Sequence, residues 1–333
     1  MLTDEQKKLA LPPASDINIQ VNPEFPEFSD LLIRVARPES ALYFPGPAMI
    51  PPVMQPMSNE LMAVALQKGL VDFSILSNGI PFRGHFMPTA TEDFYLFRRQ
   101  PTKIWTLNDC GIRGPIQDFI LSERLKKGGL IIVSGMPGAG KSTSCAAITV
   151  DRLKKFGGFC ITIEDPVEMP LQGFHGDGVC LQRNVTAQEE FHSAVRDAMR
   201  GYPAQVNTMM LIGEVRDAET AAHALRASVD GRLVMITLHA GSIVQAVMRL
   251  LTLAAVSMGM AEARSLLSSS IRLVMNQKLV DKKLRVTTLF DTQPVAGTIM
   301  SKDVPLESLK NEIQNQMNRL RMKMEIKPRN LED

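Results

Sequence analysis

Four short apolar runs dominate the chain from Cys110 onward, and helix-like stretches separate them. The runs are Leu130–Val133, Phe159–Ile163, Met209–Ile212 and Leu233–Thr237. Because successive positions within each run are apolar, both faces of the corresponding strand must be buried. Strands of this kind that alternate with helices predict an α/β fold, with a mainly parallel sheet covered by helices on both faces.

The spacing of apolar residues is different nearer the N-terminus. Helical spacing of apolar residues predicts a helix over Phe28–Ala36 and another over Ser58–Lys68, with Ser58 as the N-cap of the second. Between them lies Tyr43–Met57, where prolines recur every few residues. Proline in a helix interior removes a hydrogen bond and clashes with the preceding turn, so this segment is not expected to be helical.

Strand patterns complete a small α/β domain at the N-terminal end. They cover Val71–Leu76, Pro81–Met87 and Asp93–Arg99, and Asn78-Gly79 marks a turn between the first two. We therefore divide the chain into a flexible arm (1–25), a small α/β domain (26–99), a linker (100–109) and a larger α/β domain (110–333). Apolar residues at helical spacing near the C-terminus predict a packing helix; they are Leu306, Leu309, Ile313, Met317, Leu320 and Met324.

Composition narrows the protein classes that fit. A chain of 333 residues can bury two cores, and its net charge of +2 gives no strong nucleic-acid footprint. The four cysteines form no C-x-x-C pair, which favours reduced, buried thiols over a zinc site or a disulfide framework. The N-terminus is charged and no apolar run approaches 18 residues, so we expect a cytoplasmic protein without a membrane span.

The first apolar run leads into a phosphate-binding loop, Gly-x-x-x-x-Gly-Lys-Ser, at 135–142. A β-branched run, a glycine-rich turn and a helix-forming segment are the context that such a loop requires. Lys141 is expected to reach the β- and γ-phosphates of ATP, and the Ser142 hydroxyl to bind Mg²⁺. The alternative is a glycine-rich turn with a solvated lysine. The predicted nucleotide-binding residues are Gly135, Pro137, Gly138, Ala139, Gly140, Lys141, Ser142 and Thr143.

Acidic side chains follow the second run, at Glu164, Asp165 and Glu168. Carboxylates at the end of a strand can hold Mg²⁺, directly or through water, or take a proton from an attacking water. A group of acids at a helix start is the alternative, because the helix dipole favours it. Glu214 and His239 follow the third and fourth runs, where a histidine can sense a γ-phosphate or serve as a structural residue.

Together these motifs resemble those of the secretion and pilus ATPases of the type II/type IV superfamily, the PilT- and GspE-like proteins. That family carries a P-loop, an aspartate box, an atypical Walker B motif and a histidine box. The matching segments here are Gly135–Thr143, Ile163–Glu168, Gly213–Asp217 and Thr237–His239, in the family's order. The resemblance extends over about Val71 to Phe290.

The resemblance implies a RecA-like ATPase core behind a PAS-like N-terminal domain, assembled as a hexameric ring. It makes Glu168 the general base, assigns Glu214 to the Mg²⁺-bound water and makes His239 the reporter of the γ-phosphate state. Arginines of the N-terminal domain complete the ATP site in this family. The matching candidates are Arg83, Arg98 and Arg113, with Arg98 the best positional match.

Three departures from the family pattern bear on the branch. The chain lacks the Ser-Asp-Leu-His-Leu-like strand of many pilus motors and the usual Asp-Pro-Asp before Walker B. It also lacks the tetracysteine module of many GspE proteins. These differences favour the branch of conjugation and Dot/Icm-like type IVB secretion ATPases.

The expected function is that of an ATP-hydrolysing, Mg²⁺-dependent hexameric motor for type IV secretion, conjugative transfer or pilus assembly and retraction. Its expected partners are copies of itself and an inner-membrane secretion or pilus machine, with peripheral association at that membrane. No sequence-specific nucleic-acid binding is expected. The alternatives are a RecA-like nucleic-acid translocase, which shares the core and the ring, and a regulatory nucleotide switch with little turnover.

Overall fold

A computed structural model describes Thr3 and residues 24–185 and 190–329 of the chain. Most of the predicted N-terminal arm, and the last four residues of the predicted C-terminal domain, lie outside the described residues. The described part contains a six-stranded sheet followed along the chain by an eight-stranded sheet. In the described part of the chain, no helix is both long and apolar enough to cross a bilayer.

The N-terminal sheet is antiparallel, with the strand order β3-β2-β1-β6-β5-β4. Helix α1 (Gln55–Lys68) packs against one face of it, and the apolar residues of that face form a core of their own. The strands are β1 (Asp30–Arg34), β2 (Leu42–Phe44), β3 (Ala48–Met49), β4 (Asp72–Ser77), β5 (Ile80–Pro88) and β6 (Asp93–Arg99).

The helix predicted over Phe28–Ala36 is wrong, because this segment contains strand β1. Leu31 and Ile33 are fully buried, whereas Leu32 between them is only half-buried. This alternation with a period of two is that of a strand with one covered face. The spacing of Phe28, Leu31, Leu32 and Val35 suggested a helical stripe, but strand pairing on both sides decides the conformation.

Helix α1 begins earlier than predicted, at Gln55. Pro56 lies in its first turn, where a missing N–H costs nothing. The prediction that Tyr43–Met57 is non-helical is therefore wrong for its last six residues, since a 3-10 helix (Pro52–Met54) leads directly into α1. Ser58 is not the N-cap: it lies inside the helix and donates a hydrogen bond to the Pro38 carbonyl over 3.1 Å. The turn predicted at Asn78-Gly79 is present, with positive φ at both residues.

The C-terminal sheet has the strand order β14-β13-β7-β12-β11-β8-β10-β9 and is mainly parallel. Its strands include all four runs predicted from the apolar pattern. They are β7 (Gly129–Ser134), β8 (Gly158–Glu164), β9 (Gly173–His175), β10 (Gly178–Asn184), β11 (Thr208–Ile212), β12 (Leu233–Leu238), β13 (Ile271–Val280) and β14 (Lys283–Phe290).

Helices cover both faces of this sheet. Along β7, Leu130 and Ile132 belong to one buried cluster, while Ile131 and Val133 belong to the other. The helices are α2 (Pro115–Ile120), α3 (Lys141–Phe156), α4 (Phe191–Ala198), α5 (Ala218–Val229), α6 (Ile243–Met258), α7 (Met260–Ser270), α8 (Gln293–Met300) and α9 (Leu309–Arg321). The four cysteines are buried, and none forms a disulfide bond.

The predicted C-terminal packing helix is present as α9. Leu306 and Leu309 are buried, and Ile313 and Leu320 pack against the two clusters of the sheet. Met324, the last member of the predicted stripe, lies beyond the helix end and is exposed. The apolar stripe is therefore a packing face up to Leu320 only.

Candidate active site

The strand order brings the predicted chemical groups to one edge of the C-terminal sheet. Strands β7, β12, β11 and β8 are neighbours in that order and run parallel. Their carboxyl ends therefore lie side by side. The phosphate-binding loop follows β7, His239 follows β12, Glu214 follows β11, and Asp165 follows β8.

The phosphate-binding loop joins β7 to α3 and is supported by β13. Gly140, immediately before the helix, has a φ of 80°, which favours glycine. The Gln277 side-chain amide donates to the Ala139 carbonyl over 2.8 Å. A Cβ on Gly135 would lie 2.4 Å from the Gln277 carbonyl oxygen, so only glycine fits where the loop leaves the strand.

Lys141 is buried at the first position of α3. Its ammonium donates to the carbonyls of Gly135 over 3.0 Å and Met136 over 3.2 Å. Burial lowers the pKa of this lysine, and the nearby carboxylates of Glu214 and Glu168 oppose that shift. A partly desolvated ammonium inside a loop of backbone amides is suited to binding phosphate oxygens.

Ser142 and Glu168 are in direct contact. The Ser142 hydroxyl donates a hydrogen bond to the Glu168 carboxylate, although the two residues lie on different elements. The Glu168 side chain is otherwise exposed to the cleft. The fold therefore places the predicted Mg²⁺ ligand and the predicted general base at the same point.

Glu164 has a different environment from Glu168. It is the last residue of β8 and is 7% exposed. One carboxylate oxygen accepts hydrogen bonds from Thr162 over 2.6 Å and from the Gln182 amide over 2.9 Å. Burial raises the pKa of the Glu164 carboxyl, and the two donors moderate that rise. Asp165, by contrast, is exposed at the cleft.

Glu214 and His239 form a pair beside Lys141. His239 Nε2 lies 3.2 Å from a Glu214 oxygen, and its Nδ1 lies 3.4 Å from the Lys141 ammonium. Since an ammonium can only donate, Nδ1 accepts and the proton of a neutral ring resides on Nε2, facing Glu214. Arg216 donates to the other Glu214 oxygen over 2.8 Å.

Gly213 occupies the place where the magnesium-binding strand of other P-loop enzymes ends in aspartate. Its N–H donates to the Ile163 carbonyl over 2.8 Å. A Cβ there would lie 3.2 Å from that carbonyl oxygen and 3.3 Å from Glu164 Cγ. The glycine therefore allows β11 to approach the end of β8 closely, next to the buried Glu164.

These residues surround a cleft of about 620 Å³, which is in the usual size range of ligand sites. Residues of the phosphate-binding loop from Pro137 to Thr143 line it, as do Glu164, Asp165, Glu168, Glu214 and His239. The cleft is large enough for a nucleotide whose phosphates lie on the loop.

The model of the type II/IV secretion system protein family matches residues 65–314 of the chain. The chain belongs to this family. The match begins inside α1 and ends inside α9, so it includes the entire C-terminal sheet. It confirms the family predicted from the four sequence boxes.

Relatives of this secretion family protein include two named ATPases. The uncharacterized protein YggR of Escherichia coli (strain K12) is 31% identical over 252 residues, 73% of each chain. The type IV pilus ATPase PilU of Pseudomonas aeruginosa is 35% identical over 188 residues, 54% of this chain and 45% of PilU. The type IV pilus retractation ATPase PilT of that species is 35% identical over 192 residues, 56% of this chain and 52% of PilT. The alignment thus spans about half the length of these two ATPases.

Solved structures show the fold of this secretion family protein. The pilus retraction motor PilT with bound ADP superimposes with a TM-score of 0.67 at 23% identity, covering 89% of this chain and 86% of that one. The Legionella pneumophila ATPase DotB gives a TM-score of 0.65 at 21% identity, with coverages of 88% and 83%. At these identities the likeness confirms the mixed α/β fold with its parallel strands.

The three candidate arginines of this family protein do not line the cleft of their own chain. Arg98 pairs with Asp30 over 2.9 Å, and Arg83 pairs with Asp72 over 3.4 Å. Arg113 donates to a backbone carbonyl over 3.2 Å. A role for these arginines in catalysis stays a prediction.

The oxygen donors at the cleft suit Mg²⁺, although they do not form a closed cage. Residues 24–185 and 190–329 contain no group of three or more His, Cys, Asp or Glu side chains placed to hold a metal together. Mg²⁺ usually keeps several waters and takes one or two protein ligands besides the phosphates. The Ser142 hydroxyl, with Glu164, Asp165 and Glu214 nearby, fits that requirement.

Several residues that line the cleft were not predicted as site residues from the sequence. Arg216 lies inside the recognised 213–217 motif, so its position there was a usable signal. Gln100 and Pro101 fall in the predicted linker, and Leu279 lies on a strand that the apolar pattern did not predict. Thr237 likewise lies inside the recognised 237–239 motif, whereas the lining residues Met169 and Phe191 had no sequence signal of their own.

Proposed function

We propose that the protein is a Mg²⁺-dependent ATPase that hydrolyses ATP to ADP and phosphate. The observation that carries the proposal is the contact between Ser142 and Glu168 beside a phosphate-binding loop. A hydroxyl suited to Mg²⁺ and an exposed carboxylate meet within the cleft that Lys141 enters. The ATPase names of PilU and PilT give independent support.

In this proposal the phosphate-binding loop and Lys141 hold the triphosphate, and Ser142 is the protein ligand of Mg²⁺. The ion neutralises charge on the phosphates when it is bound. Glu214, Glu164 and Asp165 orient the waters around that position. Each of these residues reaches the same cleft from the end of a strand.

Glu168 is the general base of the proposed reaction. Its exposed carboxylate is free to accept a proton once its contact with Ser142 opens, whereas Glu164 is buried and keeps its proton to higher pH. His239 lies between Lys141 and the Glu214 carboxylate. It is therefore placed to transmit a change at the phosphates to Glu214.

We further propose that the protein works as a hexameric ring motor of type IV secretion, conjugative transfer or pilus assembly and retraction. Arg98, with Arg83 and Arg113 as further candidates, would enter a neighbouring subunit's site. In this proposal a PAS-like domain (26–99) is followed by a linker and then by a RecA-like core (110–333). It places the protein in the cytoplasm, peripherally at the inner membrane, with that membrane's secretion or pilus machinery as partner.

The test is ATP hydrolysis measured against oligomeric state by light scattering, with and without DNA. The Lys141→Ala protein serves as the background control, because it lacks the phosphate-binding ammonium. Activity confined to a six-subunit species and indifferent to DNA supports the proposal. Salt-sensitive stimulation by DNA would move the protein to the RecA-like nucleic-acid translocases. Turnover near the Lys141→Ala background in the assembled protein would indicate a regulatory switch.

A further inference from the structure

Two polar side chains of strand β10 contact the loop that carries Glu168. We call residues 165–172, between the end of β8 and the start of β9, the acidic loop. Gln182 and Asn184 are two positions apart on β10, so they point to the same face of the sheet. Both side chains hydrogen-bond to the backbone of the acidic loop.

Gln182 uses its whole side-chain amide in these contacts. Its oxygen accepts hydrogen bonds from the backbone N–H groups of Leu171 over 2.6 Å and Gln172 over 2.7 Å. Its nitrogen donates to the Met169 carbonyl over 2.8 Å and to the Glu164 carboxylate over 2.9 Å. The amide therefore has two acceptor and two donor contacts, the full capacity of this group.

Gln172, in the acidic loop, also hydrogen-bonds to Gln182. Its side-chain oxygen accepts a hydrogen bond from the backbone N–H of Gln182 over 2.6 Å. The two glutamines thus hold each other through reciprocal bonds between side chain and backbone. An arrangement of this kind restricts both translation and rotation of the end of the acidic loop.

Asn184 holds the other end of the acidic loop. Its side-chain oxygen accepts a hydrogen bond from the Val167 N–H over 3.0 Å. Val167 and Met169, the two residues bound by Asn184 and Gln182, are the immediate neighbours of Glu168 in the chain. The backbone of Glu168 is therefore fixed on both sides, while its carboxylate points to Ser142.

The acidic loop belongs to no helix or strand, so contacts with side chains supply much of its support. Pro166 and Pro170 remove two backbone donors, and the remaining polar groups need partners when they are covered. Met169 and Leu171 are buried, so their backbone groups lie away from water. The Leu171 N–H donates to the Met169 carbonyl over 2.9 Å, and the Gln182 side chain also bonds to both of these groups.

We propose that Gln182, supported by Asn184, is a positioning residue that sets the place of Glu168 for ATP hydrolysis. The inference rests on the proposed role of Glu168 as the general base. Loss of the Gln182 contacts releases the acidic loop and displaces the Glu168 carboxylate. Nucleotide affinity is expected to change little, because the phosphate-binding loop is supported separately, by Gln277 of β13.

Two variants separate the functions of the Gln182 amide. Gln182→Met removes all four side-chain contacts at similar volume. Gln182→Glu keeps the acceptor contacts to Leu171 and Gln172 but loses the donors and places a second carboxylate against Glu164. A displacement of about 1 Å in a catalytic group can lower turnover by about 10²-fold, so we expect a loss of this order for Gln182→Met. Leu181→Ala is the control, since Leu181 lies on the other face of β10 and is 37% exposed.

The experiment measures kcat for ATP and the Kd of a fluorescent ADP for these proteins. The same assay includes Glu168→Gln and the double variant Gln182→Met/Glu168→Gln. A lower kcat at unchanged Kd, together with no further loss in the double variant, supports the inference, because Gln182 then acts through Glu168. Leu181→Ala is expected to keep wild-type values.

Other results would overturn the inference in distinguishable ways. Normal turnover by Gln182→Met, with Glu168→Gln inactive, removes the positioning role and leaves the proposed function intact. Multiplied losses in the double variant show that Gln182 acts independently of Glu168. A matched fall in kcat and affinity, with a lower melting temperature, shows a purely structural role. Normal turnover by Glu168→Gln contradicts the proposed base itself.

Discussion

The two sheets of this protein expose their polar groups in different ways. The N-terminal sheet is antiparallel, and α1 covers only one of its faces, so the other face carries ion-paired side chains such as Arg83 and Arg98. The C-terminal sheet is covered on both faces, and its chemical groups are confined to the carboxyl ends of neighbouring strands. One sheet therefore presents a polar face, and the other a polar edge.

This difference separates two kinds of contribution to the proposed activity. The edge of the C-terminal sheet builds a cleft within one chain, and its groups contact one another directly. The arginines on the face of the N-terminal sheet are held by carboxylates of their own sheet and do not line that cleft. The edge therefore carries the candidate nucleotide site, whereas a contribution of the face to a neighbouring subunit's site is part of our proposal.

The largest expected effect on turnover comes from Arg98, on the polar face of the N-terminal sheet. In the assembled protein, Arg98→Ala is expected to lower turnover by about 10³-fold or more, the usual loss for an arginine finger. Stability is expected to change by less than about 1 kcal/mol, since the Arg98 side chain is 63% exposed. Mixing Arg98→Ala with Lys141→Ala subunits is expected to restore part of the activity. The measurement is steady-state ATP hydrolysis of the mixture.

The control for this experiment is Arg37→Ala. Arg37 is also an exposed, ion-paired arginine of the N-terminal region, with a side chain that is 61% exposed. It is expected to retain full turnover. If mixed rings prove to contain both inactive subunits and still show no recovery, Arg98 does not belong to a shared site.

The next largest effect on turnover concerns the cleft at the edge of the C-terminal sheet. Glu168→Gln is expected to lower turnover by about 10²–10⁴-fold, because the amide cannot accept the proton of the attacking water. Binding of ADP is expected to persist, since the phosphate-binding loop is unchanged. Single-turnover kinetics and a binding titration measure the two quantities. Glu123→Gln, at an exposed carboxylate paired with Lys126 away from the cleft, is the control. Near-normal hydrolysis by Glu168→Gln would exclude it as the base.

The smallest effects concern the free energy of unfolding. They compare substitutions on the covered faces of the two sheets with one on the uncovered face of the N-terminal sheet. Ile131→Ala and Ile132→Ala, adjacent on β7 and both fully buried, are each expected to cost about 2–5 kcal/mol. On β1, Ile33→Ala should cost as much, whereas Leu32→Ala should cost about 1 kcal/mol or less, because Leu32 is half-exposed. Urea unfolding of the monomer measures these values. Equal losses at Leu32 and Ile33 would mean that both faces of the N-terminal sheet are covered.

The predictions from sequence were more accurate for the C-terminal sheet than for the N-terminal sheet. Runs buried on both faces predicted all four central strands of the C-terminal sheet, because continuous apolar sequence leaves few alternatives. In the N-terminal sheet, the spacing of Phe28, Leu31, Leu32 and Val35 suggested a helix, although Leu31 and Leu32 lie on opposite faces of the sheet. The pairing of β1 with β2 and β6 settled that segment. Strands β13 and β14 were not predicted either, because Arg272 interrupts the apolar run of the first and Lys283 and Arg285 alternate with apolar residues in the second.

The sequence alone determined the family, the phosphate-binding loop and the residues that end each central strand, because these depend on local spacing. Only the tertiary structure decided which strand ends are neighbours. The order β7-β12-β11-β8 places His239 between Lys141 and Glu214, and it brings Glu168 to Ser142. The support of Glu168 by Gln182 and Asn184 also depends on that order, since β10 pairs with β8. Such contacts join residues far apart in the chain, and no local pattern encodes them.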